Sequence, residues 1–388
     1  MTGAIRLGML YALRHRVQTL IVSLCIAATV GLPVAAQLVL GFYQRELSAR
    51  AQSIPLVAGS KGSRFDLALS MLYFRVLPIK PVPMSLYDSI ASDPNVLAIP
   101  VHLRFTASGY PLVAIGAEYF DRRGLVAVQG TLPMYLGDVV LGADVADQLK
   151  LGPGDSIMSD QRELYDLSVP PPLKMHVVDV LARTGTADDH AVFADIKTAW
   201  VIEGETHGHG NGKAIDKSLV LASSPETVII SPSMVTFNEV TADNIASFHT
   251  HGDPALLPIT GVMIFPKDQK SHTIIQARIN NEGTYQAVEP ATLVNELFEI
   301  VFRIKMVFDW IIILMGSVTV LLVGLISLLA VRLRRDELIT LDRIGAPRLF
   351  LSILIAMQLL ISIALGTGLG LLAAATTLAL LRGLIYTM

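Results

Sequence analysis

The sequence predicts an α-helical membrane protein with a large extracytoplasmic α+β domain, and three observations predict it. Charge-free apolar stretches lie near both ends, the middle has the mixed composition of a globular domain, and arginines gather on one side of the apolar stretches. Of the 388 residues, 52% are hydrophobic and only 16% charged, for a mean hydropathy of +0.55, more apolar than an average soluble chain. The excess belongs in lipid.

Val17 to Phe42 carries no charge. At about 1.5 Å rise per residue it is long enough to cross a hydrocarbon core of about 30 Å. A cleaved signal peptide, with an apolar core of about 7–15 residues, is the competitor, and the greater length here favours a retained anchor. Pro33 within it reads as a kink of the kind membrane helices tolerate. The second stretch, Met306 to Val331, holds one charge, Asp309, and is followed by Arg332, Arg334 and Arg335. The third begins at Leu349 and is broken only by Gly366, Gly368, Gly370 and Arg382. A straight helix of that length overshoots the bilayer, so it must bend, leave the membrane or turn back. Three spans are expected, or four if Leu349 to Leu384 forms a hairpin.

Orientation follows from the arginines. Arg6, Arg14 and Arg16 precede the first span, and Arg332, Arg334, Arg335, Arg343 and Arg348 lie between the second and third, so both segments belong in the cytoplasm. The division expected is an amphipathic segment and first span over 1–45, an extracytoplasmic domain over 46–300, and a stalk helix, second span, charged loop 332–348 and third span over 301–388. Ile5 to Arg16, with Leu7, Leu10 and Leu13 at helical spacing, reads equally as an interfacial helix or as a plain basic flank.

Within the middle, Leu112–Ile115, Val139–Leu141, Met175–Leu181, Ser218–Ala222, Thr227–Ile230 and Gly261–Phe265 read as strands, and Ala143–Lys150 and Gln269–Ile279 as helices. Gly152-Pro153-Gly154-Asp155 reads as a tight turn, and from Glu289 a helical pattern continues into the second span. Cys25 is the only cysteine, so no disulfide forms within the chain. A net charge of −3 and the lack of a basic, aromatic-laced stripe exclude nucleic acid as a partner.

Phosphate loops of the form GxxxxGK[ST] do not occur, nor do GxSxG or HExxH, so the chain cannot hold ATP in the usual way. Gly59-Ser60-Lys61-Gly62-Ser63 has similar residue types, but its first glycine is too close to the lysine, and it reads as a turn. The histidines form one candidate metal set: His190, His207, His209, His249, His251 and Asp253, with Asp188 and Asp189 nearby. Two His-x-His pairs with carboxylates supply the nitrogen and oxygen donors that zinc or copper takes. Solvated loops with incidental histidines are the competing reading, and the one the sequence favours. In loop 332–348, Leu338, Leu341 and Ile344 fall on one helical face, with Asp336, Glu337, Asp342 and Arg343 around the others and Gly345 at a C-cap position. Such a stripe wants a partner groove; its acidic residues argue against anionic lipid as that partner.

This layout resembles the MacB/FtsX/LolC superfamily of ABC transporter permease subunits. The closest local likeness is Glu337-Leu338-Ile339-Thr340-Leu341-Asp342-Arg343-Ile344-Gly345-Ala346, similar to the family's Arg-Glu-Ile, spacer and Ile-Gly-Ala. Val140 to Ala146 with Leu149 to Asp155 resembles the family's strand, helix and Gly-Asp turn, followed by a strand like Val177 to Leu181. Val57 to Ser63 is similar to the opening of one subgroup. The resemblance implies a MacB-like periplasmic core and a non-catalytic subunit of the bacterial inner membrane. It implies a separate cytoplasmic ABC ATPase holding ATP and Mg, a homodimer or paralogous permease partner, membrane lipid, and a periplasmic or outer-membrane adaptor. Glu337, Leu338, Leu341, Arg343, Ile344, Gly345 and Ala346 would couple to the ATPase, and motion would pass to the outer domain to export or extract a lipoprotein, lipid, peptide or other amphiphile. The family departs from this chain in usually having a fourth span, in a glutamate where this chain has Gln358, and in a basic residue displaced here to Arg343. Two alternatives stand beside it: zinc or copper handling through the histidine loops, and FtsX-like activation of a cell-wall hydrolase.

Overall fold

The computed structural model describes residues 6, 9, 10, 13, 14, 16–130, 132, 133, 135–160, 171–208, 220–223, 228–230, 238–250, 252–333, 335, 339, 340, 343 and 348–385. The chain divides into a helical unit, Met1–Ser48 with Asn295–Met388, and a sheet unit, Ala49–Val294.

Ten strands make the mixed sheet of the second unit. From one edge to the other they are β12 (Asn238–Glu239), β7 (Leu173–Val180), β5 (Asp138–Leu141), β8 (Val192–Ala194), β4 (Tyr110–Ile115), β3 (Val96–Ala107), β15 (Gly261–Pro266), β1 (Leu56–Ser60) and β16 (Tyr285–Val288); β6 (Ser156–Met158) pairs with β7. Neighbours on a strand face opposite sides of a sheet. Ala98 and Ile99 are both buried, as are Val262, Met263 and Ile264, so the sheet is covered on both faces. That is why its central strands read as continuous apolar runs. The helices Met84–Ala91 and Gln269–Glu282 contribute Leu86, Ile90, Ile275 and Ile279 to one core. Phe74, Tyr119, Phe120 and Phe193 form an aromatic cluster with ring centroids 5.5–6.2 Å apart.

Most of the expected elements are present, including the helix Ala143–Leu149 and the turn in which Gly152 N donates to Asp155 Oδ2 at 2.8 Å. One expectation is corrected. The turn read over Gly59 to Ser63 is shorter than that: Gly59 and Ser60 end the interior strand Leu56–Ser60, the chain bends at Lys61 and Gly62, and Ser63 caps the following helix Arg64–Tyr73 by accepting from Asp66 N. Gly59 is glycine because a Cβ there would lie 2.6 Å from Leu67 Cδ1. The edge strand β16 is closed by a side chain. Asn280 donates to the Ala287 carbonyl and accepts from the Ala287 amide, imitating the strand that is missing.

Among the described residues three helices are long and apolar enough to cross a membrane: Arg16–Ser53 (α1), Pro290–Leu333 (α8) and the segment Leu359–Leu381 of Arg348–Ile385 (α9). The third apolar stretch is one helix of 38 residues, about 57 Å at the standard rise, and not a hairpin. Its glycines do not break it. Gly366 and Gly370 lie directly against α1: a Cβ on Gly366 would sit 2.6 Å from the Ser23 carbonyl, and one on Gly370 2.7 Å from the Ala27 carbonyl. Ser23 Oγ donates to the Ser362 carbonyl at 3.1 Å along the same seam. Thr29 and Thr319 hydroxyls meet at 2.9 Å between α1 and α8. The charge of Asp309 is met by Lys305 Nζ at 2.6 Å, one turn earlier.

Candidate functional site

Helix α1 ends inside the sheet unit, where Ala51 and Ile54 are fully buried and Arg50 is 7% exposed. A guanidinium at such a position requires partners for its donors. Arg50 Nε donates to the Leu72 carbonyl at 2.7 Å, and its Nη1 and Nη2 donate to the two oxygens of Asp188 at 2.7 and 3.2 Å. Nη2 also reaches Tyr119 Oη at 3.2 Å, and the guanidinium lies 5.6 Å from the centre of the Phe74 ring. Asp188, fully buried in the short helix Ala187–His190, further accepts from Tyr119 Oη and Thr186 Oγ1, each at 2.5 Å, and from Arg123 Nη2 at 3.3 Å. Four side chains, from three chain segments, meet on one carboxylate.

Burial alone would raise the Asp188 pKa, but the charge of Arg50 and hydrogen bonds from Arg50, Thr186 and Tyr119 outweigh it and hold the carboxyl at about 2. Burial pushes the Tyr119 phenol above its ordinary range; Arg50 opposes this and Asp188 adds to it. Both groups are thereby driven away from neutrality, the reverse of what a general acid or base needs. The arrangement is a fastening: it fixes the end of α1 to the sheet. Gly142 makes it compact, since a Cβ there would sit 2.5 Å from the Asp188 carbonyl oxygen and 2.3 Å from that of Asp189.

The sequence-derived metal residues are distributed over several elements. His190 Nε2 is 3.0 Å from Asp144 Oδ2, and Asp144 also pairs with Arg183. Asp253 caps the turn Pro254–Leu256 by accepting from Ala255 N. Asp189 accepts from Thr184 N and Gly185 N. His207 and His249, in β9 (Thr206–Gly208) and β13 (Phe248–Thr250), are register partners in an antiparallel pair, and His249 Nδ1 lies 2.9 Å from the Ser247 carbonyl. His209 and His251 lie outside the described residues. Among the described residues no group of three or more His, Cys, Asp or Glu is placed to hold a metal ion. His102, which sequence reading passed over, is 1% exposed with Nε2 3.0 Å from Glu203 Oε2; Glu203 also pairs with Arg104 at 2.6 Å.

Of the coupling residues, Arg343 is helical and exposed, as are Ile339 and Thr340 beside it; Glu337, Leu338, Leu341, Ile344, Gly345 and Ala346 lie outside the described residues. Comparison with protein-family models finds no match, and comparison with curated proteins finds none either. What the chain does is therefore argued from its own residues.

Proposed function

We propose that the chain is the membrane-spanning permease subunit of an ABC-type machine of the MacB/FtsX/LolC kind, coupling ATP hydrolysis by a separate cytoplasmic ATPase to movement of an extracytoplasmic domain. The observation that carries this reading is the way the chain passes between its two units. Each passage is a single uninterrupted helix. Arg16–Ser53 ends with Arg50 fastened to Asp188, and Pro290–Leu333 follows edge strand β16 directly and continues as the second apolar helix. A helix transmits axial force because its backbone hydrogen bonds run along its axis. Force entering near the 332–348 loop thus has two stiff routes to the sheet.

The arginine clusters support a cytoplasmic position for that loop, with the sheet unit, read as a MacB-like core, on the far side of a bacterial inner membrane. None of the most apolar window of α8 is buried, and Trp310, Leu314 and Leu321 are each more than 60% exposed. In this reading that surface meets lipid and a second permease subunit, the same chain or a paralogue. Apart from Asp309 the stretches Val17–Phe42, Met306–Val331 and Leu359–Leu381 of these helices carry no charge, which suits a machine that moves an amphiphile without a polar tunnel. The cargo class is a lipoprotein, lipid, peptide or other amphiphile, received from or passed to a periplasmic or outer-membrane adaptor.

Pull-down from membranes on an N-terminal tag tests the coupling role. Leu341→Asp puts a charge on the apolar stripe of the loop, and the ATPase is expected to be lost while the amount of permease in the membrane stays unchanged. An ATPase that still co-purifies in full would sink the docking role.

One observation favours a second reading, zinc or copper handling: the register that sets His207 opposite His249. Residues directly opposite in an antiparallel pair have Cβ atoms about 5 Å apart, a spacing two imidazole ligands can bridge. Titration of the purified full chain with zinc should then give micromolar or tighter binding that His207→Ala/His249→Ala abolishes; no heat, or an unaltered variant, removes this reading.

A further inference from the structure

At the other end of α1 the helical unit has a cavity of about 530 Å³, lined by Arg14, Arg16, Val17, Gln18, Ile21 and Ile326. We infer that it is a binding site for an anionic phospholipid. Its lining joins two arginines to the apolar side chains Val17 and Ile21 of α1 and Ile326 of α8. The pair of cations suits a phosphodiester, which guanidinium groups grip through parallel N–H donors.

Among the described residues no carboxylate lines this cavity. The first acidic residue of the chain is Glu46, and between Asp309 and Asp336 the second apolar helix has none. Arg332 is exposed about 9 Å further along α8 than Ile326, at the same end, adding to the positive potential there. A free phosphate or nucleotide would leave the apolar walls unused, and a zwitterionic lipid offers no net charge to the arginines. A lipid with an anionic head and an acyl chain uses both. Basic pockets between membrane helices on the cytoplasmic side hold such headgroups.

The inference rests on the reading that the chain spans a membrane, and the two fail separately. A chain extracted from membranes by alkaline carbonate would defeat the membrane reading. An integral chain that retained no anionic lipid would defeat this inference alone. The test is native mass spectrometry of the full chain released from bilayer discs of mixed phosphatidylglycerol and phosphatidylcholine. The wild type should keep phosphatidylglycerol selectively, and excess inorganic phosphate should not displace it. Arg14→Gln/Arg16→Gln should lower that retention by about thirtyfold, the attraction of two arginines to anionic lipid expressed as an affinity ratio. Ile326→Trp fills the apolar slot while keeping every arginine, and with them the orientation; it should also lower retention. Equal retention by either variant, displacement by inorganic phosphate, or equal retention of phosphatidylcholine would overturn the site.

Discussion

Replacing Arg50 by methionine lowers the stability of the sheet unit by about 3 kcal/mol, because Asp188 keeps its burial, loses its two-pronged cation and retains only the 3.3 Å contact from Arg123. The side-chain exposures of 6% and 1% matter here: an exposed pair would contribute under about 1 kcal/mol. Arg50→Lys should recover little, since an ammonium cannot span both Asp188 oxygens, the Leu72 carbonyl and Tyr119 at once. The double change Arg50→Met/Asp188→Leu should regain most of the loss, because it removes the stranded charge along with the pair. Thermal unfolding of the full chain in detergent, followed by the fluorescence of Trp200 and Trp310, measures this. A loss below about 1 kcal/mol for Arg50→Met would show that the joint is not held by its charges.

The same joint has a definite acid behaviour. Asp188 titrates at about 2 in the folded chain, below the ordinary carboxyl value near 4, so its contribution is complete above about pH 4 and is lost as the pH falls towards 2. The gap between wild type and Arg50→Met should therefore be widest near neutrality. It begins to shrink above about pH 4, where the carboxyl that the variant strands in the core takes up a proton because burial raises its pKa, and it shrinks further between about pH 4 and 2 as the wild-type carboxyl is protonated. In the proposed machine this joint is where the first helix grips the outer domain.

The parts of this molecule that were legible in the sequence are those written in local patterns. Three apolar helices, the strands Tyr110–Ile115, Asp138–Leu141 and Gly261–Pro266, and the helix Gln269–Glu282 each announce themselves by composition or spacing. The longest strand, Val96–Ala107, was legible too but was passed over: Ile99, Val101, Leu103, Phe105 and Ala107 alternate with Pro100, His102, Arg104 and Thr106, a period of two masked by the proline, which demotes such a run, and by the unbroken apolar start Val96 to Ile99. The joint was hidden for another reason: Arg50 and Asp188 are 138 residues apart, and nothing local marks either as the other's partner. Asp188 stood out only as a carboxylate near histidines, which pointed to a metal. The histidine spacing was visible, whereas the cross-strand register of His207 and His249 needed the fold. The glycines of the third apolar stretch were visible too, but as interruptions. Their meaning lies in a second ladder, Ser23, Ala27 and Gly31 on α1, facing Ser362, Gly366 and Gly370 on α9 at the same four-residue interval.

That seam leads to the second large effect. Between membrane helices there is no hydrophobic driving force, so association depends on close van der Waals contact, which small residues four apart allow. A Cβ on Gly370 would meet the Ala27 carbonyl at 2.7 Å and the Gly31 amide nitrogen at 3.1 Å, and these are backbone atoms that cannot rotate away. Gly370→Leu must therefore push the helices apart, at a cost of about 2–3 kcal/mol or more. Gly368 supplies the control within the same helix. A Cβ there meets nothing within 4 Å, so Gly368→Leu adds no clash and should gain up to about 1 kcal/mol in helix propensity. The two variants carry the same side chain two residues apart and should move melting temperature in opposite directions, with Gly370→Leu also losing the monodisperse peak in detergent size-exclusion chromatography. If both behave alike, α1 and α9 do not pack through their backbones, and Gly366 and Gly370 serve some end other than contact.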